Sequence, residues 1–142
     1  MKTSARNQFS GKVAAVQRGS VNDEIDIEVA PGLHLVAIVT RESTDSLGLA
    51  PGVAAMALIK SSSVLLVIDD AQVRFSARNQ LRGKVLRVIP GAVNSEVVVD
   101  VASGVAITAI VTNESAVALG LSAGKPVSAL FKASSVIVGV PV

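Results

Sequence analysis

The chain has 142 residues, half of them hydrophobic, with thirteen Lys and Arg against eleven Asp and Glu for a formal net charge of +2, and no Cys, Trp or Tyr. The absence of Cys excludes a disulfide scaffold and a thiolate metal centre, and 2% aromatic residues with so small a basic excess is a poor footprint for nucleic acid, which wants basic stripes and stacking rings. Apolar runs such as 35–39 and 64–68 fall far short of the ~20 residues of a membrane span.

The chain opens on Lys2 and Arg6 with no apolar stretch behind them, so no secretory signal is expected and a cytoplasmic location is the default. Ser4-Ala5-Arg6-Asn7-Gln8 returns letter for letter as Ser76-Ala77-Arg78-Asn79-Gln80, an offset of 76 − 4 = 72 residues that later shared segments keep without a gap. Two tandem copies, 1–70 and 71–142, are expected. In the first, residues 11–17 and 24–29 read as strands, the second with strict alternation that puts Ile25, Ile27 and Val29 on one face. A turn at 18–22 uses Gly19 for backbone freedom and Asn22 to hold its own backbone, and Pro31-Gly32 closes the second strand. A third strand follows over 33–39. Residues 40–48 are the one helical candidate, two turns long, with Thr40 as cap, Glu42 in the first turn and Gly48 as stop. Strands at 53–60 and 63–68 complete the copy, and 69–72 link to the next, where Val97, Val99 and Val101 take the places of Ile25, Ile27 and Val29.

Five strands and a short helix in about 70 residues fit a small Greek-key barrel of the OB type, so the expected fold is all-β, two tandem OB-like five-stranded barrels each with a short helix. A two-sheet sandwich is the alternative; closure is preferred because it manages the sheet edges in so short a chain. Units this small sit near the lower limit for a self-sufficient core. Half-apolar composition then points to further buried faces and to association between chains.

Catalytic sets are thin. His34 is the sole His and reads as an ordinary strand residue, since a lone imidazole has no partner set; Asp23, Asp26 and Asp45 are not kept in the second copy, while Glu24 and Glu42 are kept and read as structural. No enzyme is expected. The polar residues that survive duplication are mostly donors: Ser4, Arg6, Asn7, Lys12, Thr40, Ser43, Lys60, Ser62 and Ser63. Such a set suits a tetrahedral oxyanion, with Arg forking onto two oxygens and hydroxyls filling other lone pairs, and it equally suits a solvated barrel rim. Gly19-x-Val21-Asn22-x-Glu24 recurs as Gly91-x-Val93-Asn94-x-Glu96; it reads first as a tight turn, and its backbone N–H groups can also form an anion nest.

The opening Ser-Ala-Arg-Asn-Gln, followed by Gly-x-Val-Asn-x-Glu, Val-Thr-x-Glu-Ser, Leu-Gly-Leu and a closing Lys-x-Ser-Ser-Val, resembles the Mop domain of the molbindins, and the tandem resembles their di-Mop form over essentially the whole chain. The resemblance implies an OB-like barrel that binds molybdate or tungstate at subunit interfaces, a homotrimer presenting six domains, and a role in intracellular storage and homeostasis, with no cofactor. By position it implies a main site of Ser4, Arg6, Thr40, Ser43, Lys60 and Ser62, repeated as Ser76, Arg78, Thr112, Ser115, Lys132 and Ser134, with different chains contributing to one pocket. A second oxyanion site near the threefold axis is implied at Val21-Asn22 and Val93-Asn94. One departure is that Ala133 stands where the first copy has Ser61, so a hydroxyl there is not common to both pockets. The same domain type occurs on transport ATPases and DNA-binding regulators; with no room here for a Walker loop or helix-turn-helix, free-standing storage is expected. An OB-type binder of single-stranded nucleic acid and a carrier of a molybdenum cofactor are the alternatives.

Overall fold

The computed structural model describes residues 1–102 and 104–142. In chain order the elements are β1 (Asn7–Gln17), β2 (Asn22–Ala30), β3 (Leu33–Thr40), α1 (Arg41–Ser46), β4 (Ala54–Ile59), β5 (Leu65–Val67), β6 (Asn79–Pro90), β7 (Asn94–Ala102), β8 (Val105–Thr112), α2 (Asn113–Ala118), β9 (Pro126–Phe131) and β10 (Val136–Gly139). Strands hold 54% of the residues, in two five-stranded curled antiparallel sheets that match a tandem OB-like fold. The expected all-β fold with one short helix per copy is therefore observed.

The strand order is β10-β4-β1-β2-β3 in one sheet and β5-β9-β6-β7-β8 in the other. The compact units are accordingly Met1–Ile59 with Lys132–Val142, and Lys60–Phe131. Each repeat thus lends its fifth strand to the sheet built by the other, and the sequence boundary at 70/71 does not coincide with the structural one. The physical reason lies in the register: Ile137 pairs with Leu58 as Leu65 pairs with Leu130, and those pairs are the same two repeat positions. The docking edge is equivalent in both copies, so periodicity alone does not distinguish a copy's own fifth strand from its neighbour's. Within each unit the sheet curls until its terminal strands approach, β10 towards β3 and β5 towards β8, which covers edges that would otherwise stay unpaired.

Alternation in the sequence becomes the core directly. Ile25 and Ile27, and Val97 and Val99, are fully buried. Val29 and Val101 are only half-buried, because the ladder slips between Glu28 and Ala30 and between Asp100 and Ala102, and a bulge interrupts the alternation. β1 begins at Asn7, four residues before the apolar pattern suggests, since Asn7 takes the first rung opposite Ile59. The last strand of each copy is shorter than expected: residues 61–63 and 133–135 turn as 3₁₀ helices ahead of β5 and β10. Among the described residues no helix is long and apolar enough to cross a membrane.

Candidate functional site

The capping expected at Thr40 is present in both copies. Thr40 Oγ1 accepts from the Ser43 N–H at 3.1 Å and Thr112 Oγ1 from the Ser115 N–H at 3.0 Å, which satisfies a helix N–H with no intrahelical partner. The Thr hydroxyls donate in turn to Ser43 Oγ at 2.9 Å and Ser115 Oγ at 2.8 Å. The hydroxyl pair therefore leaves the Ser O–H as its open donor. Gly48 and Gly120, at φ 63° and 61°, end the helices in the left-handed region that L side chains resist.

The opening motif divides by role. Asn7 and Asn79 are 2% exposed, so these kept polar residues belong to the fold. Gln8 Nε2 donates to the Ala5 carbonyl at 2.9 Å and Gln80 Nε2 to that of Ala77 at 2.8 Å. Each Gln thus pins the bend that carries Arg6 or Arg78. Ser4, Arg6, Ser76 and Arg78 are exposed ahead of β1 and β6.

Lys60 and Lys132 are extended residues leading into the 3₁₀ turns, with no side-chain cap bond, and Ser62 and Ser134 are exposed within them. Within one chain, the 3₁₀ turn of each repeat lies in the unit built mainly by the other repeat. The 133–135 turn packs against β3, and the 61–63 turn against β8. Unit by unit, Ser4, Arg6, Thr40 and Ser43 share a body with Lys132 and Ser134, whereas Ser76, Arg78, Thr112 and Ser115 share one with Lys60 and Ser62. Ser61 and Ala133 are both buried, so the hydroxyl lost at Ala133 is missing from the unit that contains Thr40.

The Val21-Asn22 turn lies beside the helix start, because Asn22 pairs with Thr40 across β2 and β3 and Asn94 with Thr112 across β7 and β8. Gly19 is required for space: a Cβ would lie 2.2 Å from the Asn22 carbonyl oxygen, and at Gly91 2.8 Å from that of Asn94. In the second copy the Asn94 carbonyl accepts from the Gly91 N–H at 2.7 Å. The first residue of each helix also holds its turn. The Arg41 N–H donates to the Val21 carbonyl at 2.9 Å and the Asn113 N–H to that of Val93 at 2.8 Å, and the Arg41 guanidinium donates to the Gly19 carbonyl, as Asn113 Nδ2 does to that of Gly91 at 2.8 Å.

Behind Arg41 stands Asp23, 1% exposed. Its Oδ1 accepts from the Gly19 N–H at 3.0 Å and lies 3.9 Å from Arg41 Nε, while Oδ2 has no hydrogen-bond partner. The neighbouring Thr44 hydroxyl, then the Gly19 N–H and the Arg18 and Arg41 charges, hold its pKa below the ordinary carboxylate value against the opposing effect of burial. Behind Asn113 stands Ser95, whose Oγ donates to Asn113 Oδ1 at 2.5 Å. These four residues were absent from the sequence-derived set because none is kept between copies. The available signal was that both members of the pair differ together.

His34 is not the partnerless imidazole expected. Its Nδ1 lies 2.6 Å from Asp26 Oδ1 and its Nε2 3.2 Å from Glu28 Oε2, an arrangement set by the β2–β3 register. The bond to Asp26 and the charges of both carboxylates raise its pKa above 6.5. With a carboxylate on each ring nitrogen it is an ion-paired surface residue, and among the described residues no group of three His, Cys, Asp or Glu is placed to hold a metal ion.

The TOBE domain family matches twice, over residues 3–66 and 76–138. Among curated relatives, the molybdenum-pterin-binding protein MopA of Rhodobacter capsulatus is 44% identical over 99% of the chain and 53% of its own length. The molybdenum transport protein ModE of Herbaspirillum seropedicae is 45% identical over 99% and 52%, and the DNA-binding transcriptional dual regulator ModE of Escherichia coli K12 is 35% identical over 97% and 52%. The chain spans about half the length of these relatives. Among solved structures, the cytoplasmic molybdate-binding protein ModG, in a crystal form with molybdate bound, superposes with a TM-score of 0.95 at 48% identity, covering 99% of this chain and all of that one. With two matches that together span most of its length, the chain belongs to the TOBE domain family as a tandem of the di-Mop type.

Proposed function

We propose that the chain is a molybdate- or tungstate-binding protein that stores and buffers the oxyanion, and that it is not an enzyme. The observation that carries the reading is the twofold recurrence of one donor set, Arg6 with Thr40 and Ser43, and Arg78 with Thr112 and Ser115, each in a unit that also contains a Lys-x-Ser turn. A tetrahedral dianion offers only acceptors, and this set is dominated by charged and neutral donors. The likeness to ModG, which holds molybdate, supports the same ligand. The main sites comprise Ser4, Arg6, Thr40 and Ser43 with Lys132 and Ser134, and Ser76, Arg78, Thr112 and Ser115 with Lys60 and Ser62. The Val21-Asn22 and Val93-Asn94 turns form the second kind of site.

The assembly we propose is a homotrimer with sites at subunit interfaces. What supports it is apolar exposure repeated at equivalent positions: Val21 is 69% and Val93 70% exposed, and Leu65 63% and Ile137 66%. Large apolar side chains left open twice at the same place mark a surface to be covered. The name of MopA keeps a carrier of a molybdenum-bearing pterin as the second reading.

Native mass spectrometry with and without molybdate tests both halves, since it reports chains and ions together. Three chains carrying added molybdate are expected. A single-chain mass at micromolar concentration overturns the trimer; absence of added mass at millimolar molybdate overturns the bare-oxyanion reading in favour of the pterin. Selectivity follows from the donors. Phosphate near neutral pH retains a proton that wants an acceptor, and sulfate is smaller, so molybdate is expected to persist against equimolar amounts of either in competition calorimetry.

A further inference from the structure

The two copies differ in chemistry beside their helices. In the first, Arg18 Nη2 donates to Asp45 Oδ1 at 2.9 Å, an ion pair that straps α1 to the residue after β1, and Thr44 next to it in the chain is 1% exposed. The corresponding residues of the second copy are Pro90, Val117 and Ala116, so the strap is gone and the helix side chain is smaller. There a cleft of about 380 Å³ runs along α2, walled by Val88, Pro90, Ala116, Val117 and Leu121. That volume lies within the range of small-molecule pockets. Ser95 and Asn113 line it as well, but they bond to each other and Asn113 to the Gly91 carbonyl, so the polar part is largely occupied. Val117 is 81% exposed, an apolar wall left to water.

Gly120 also borders the cleft. A Cβ there would lie 3.3 Å from Lys125 Nζ, so an ammonium stands beside one end of an apolar trough. The backbone of Lys125 is fixed: its N–H donates to the Ser122 carbonyl at 3.0 Å, and its carbonyl accepts from the Val85 N–H at 2.9 Å. The first copy has Val53 at this place, and a Cβ at its Gly48 would meet nothing within 4 Å. Loss of the ion pair and gain of the cation therefore fall in the same copy. We propose that this cleft of the second unit binds a small amphipathic monocarboxylate, in its simplest form a short fatty acid, whose chain lies along the apolar wall while its carboxylate meets the Lys125 ammonium. Charge and shape select that class. A neutral hydrocarbon leaves the cation without a counter-charge, whereas a small inorganic anion leaves the wall wet. The flexible stem of Lys lets its head follow a carboxylate at the cleft's end. No residue of this site belongs to the oxyanion donor set, so the two readings stand independently.

The experiment titrates the isotope-labelled full chain with butanoate, hexanoate and octanoate, and with hexanamide as the uncharged control, and follows amide shifts by NMR. Shifts are expected at Val88, Ala116, Val117 and Leu121 and not at Val16, Thr44, Asp45 and Leu49. Affinity is expected to rise about fourfold for each methylene added until the wall is covered. Hexanoate should bind about threefold more tightly than hexanamide, the contribution of a partly exposed ion pair, and Lys125→Gln should erase that difference while leaving hexanamide unchanged. Pro90→Arg with Val117→Asp, which installs the first copy's ion pair, is expected to abolish binding of both with the dispersed amide spectrum kept; if that variant does not fold, Lys125→Gln decides alone. Equal affinity for hexanoate and hexanamide, no gain from butanoate to octanoate, or equal shifts in both copies overturns the proposal. If sedimentation instead shows that Val117→Asp breaks up an assembly of the wild-type chain, the occupant of the cleft is a second copy, and the proposal is overturned on that ground.

Discussion

Arg6 and Arg78 stand exposed at equivalent points, each held on a bend that Gln8 or Gln80 pins, where a planar fork can meet two oxygens of one ion in a way Lys does not reproduce. Hydrogen bonds to charged groups contribute about 1.5–3 kcal/mol, so Arg6→Ala with Arg78→Ala is expected to weaken molybdate binding by about one to two orders of magnitude. Lys60→Ala with Lys132→Ala is expected to act in the same direction, with the ligand-free fold retained in both cases; unchanged affinity by calorimetry in both pairs would refute the site. His34 gives the pH prediction. Its folded pKa lies above the unfolded value, owing to Asp26 first and Glu28 second, so the ion pairs stabilise fully below the unfolded pKa and that contribution fades as pH rises through the folded one. His34→Gln should therefore flatten the fall in melting temperature above about pH 6.5, and an imidazole titrating below that value by NMR would contradict the assignment.

At the scale of elements, the two helices have six residues each, too few to persist without their caps and packing. Thr40→Val and Thr112→Val keep the shape and remove the oxygen that accepts the Ser43 and Ser115 N–H groups. Each is expected to cost about 1 kcal/mol, seen as a lower urea midpoint at unchanged slope. The two strand faces carry far more. Ile27 and Val99 are fully buried, and an unpaired carboxylate there costs several kcal/mol, so Ile27→Asp with Val99→Asp should abolish the dispersed amide spectrum that the capping variants retain.

The exchanged fifth strands set the behaviour of the whole molecule. β10 belongs to the second repeat yet pairs with β4 of the first. Truncation after Phe131 is therefore expected to open the unit that contains residues 1–59 and to spare Lys60–Phe131, although every residue removed comes from the second copy. Hydrogen exchange checks this directly. Lost protection at Ala57 and Ile59 with retained protection at Ala129 and Phe131 is the expected pattern, and the reverse would show that each repeat keeps its own strand.

Much of this was legible beforehand for local reasons. Strand faces follow from alternation at Ile25, Ile27, Val97 and Val99, helix starts from Thr40 and Thr112, and both are decided by neighbours a few residues away. The donor set was visible because duplication retained it. What only the tertiary structure decided is which distant residues meet. The fifth strand has the same apolar pairs to offer either sheet, so no pattern in the chain says that Lys60 and Ser62 fall in the same unit as Thr112, or Lys132 and Ser134 in that of Thr40. The Asp23–Arg41 and Ser95–Asn113 pairs lie 18 residues apart in sequence and exchange ionic for neutral chemistry between copies; the geometry they maintain is shared, whereas the letters are not. Sequence records residue identity, and contacts of that range depend on the register of β2 with β3 and of β7 with β8, which forms only when the sheets do.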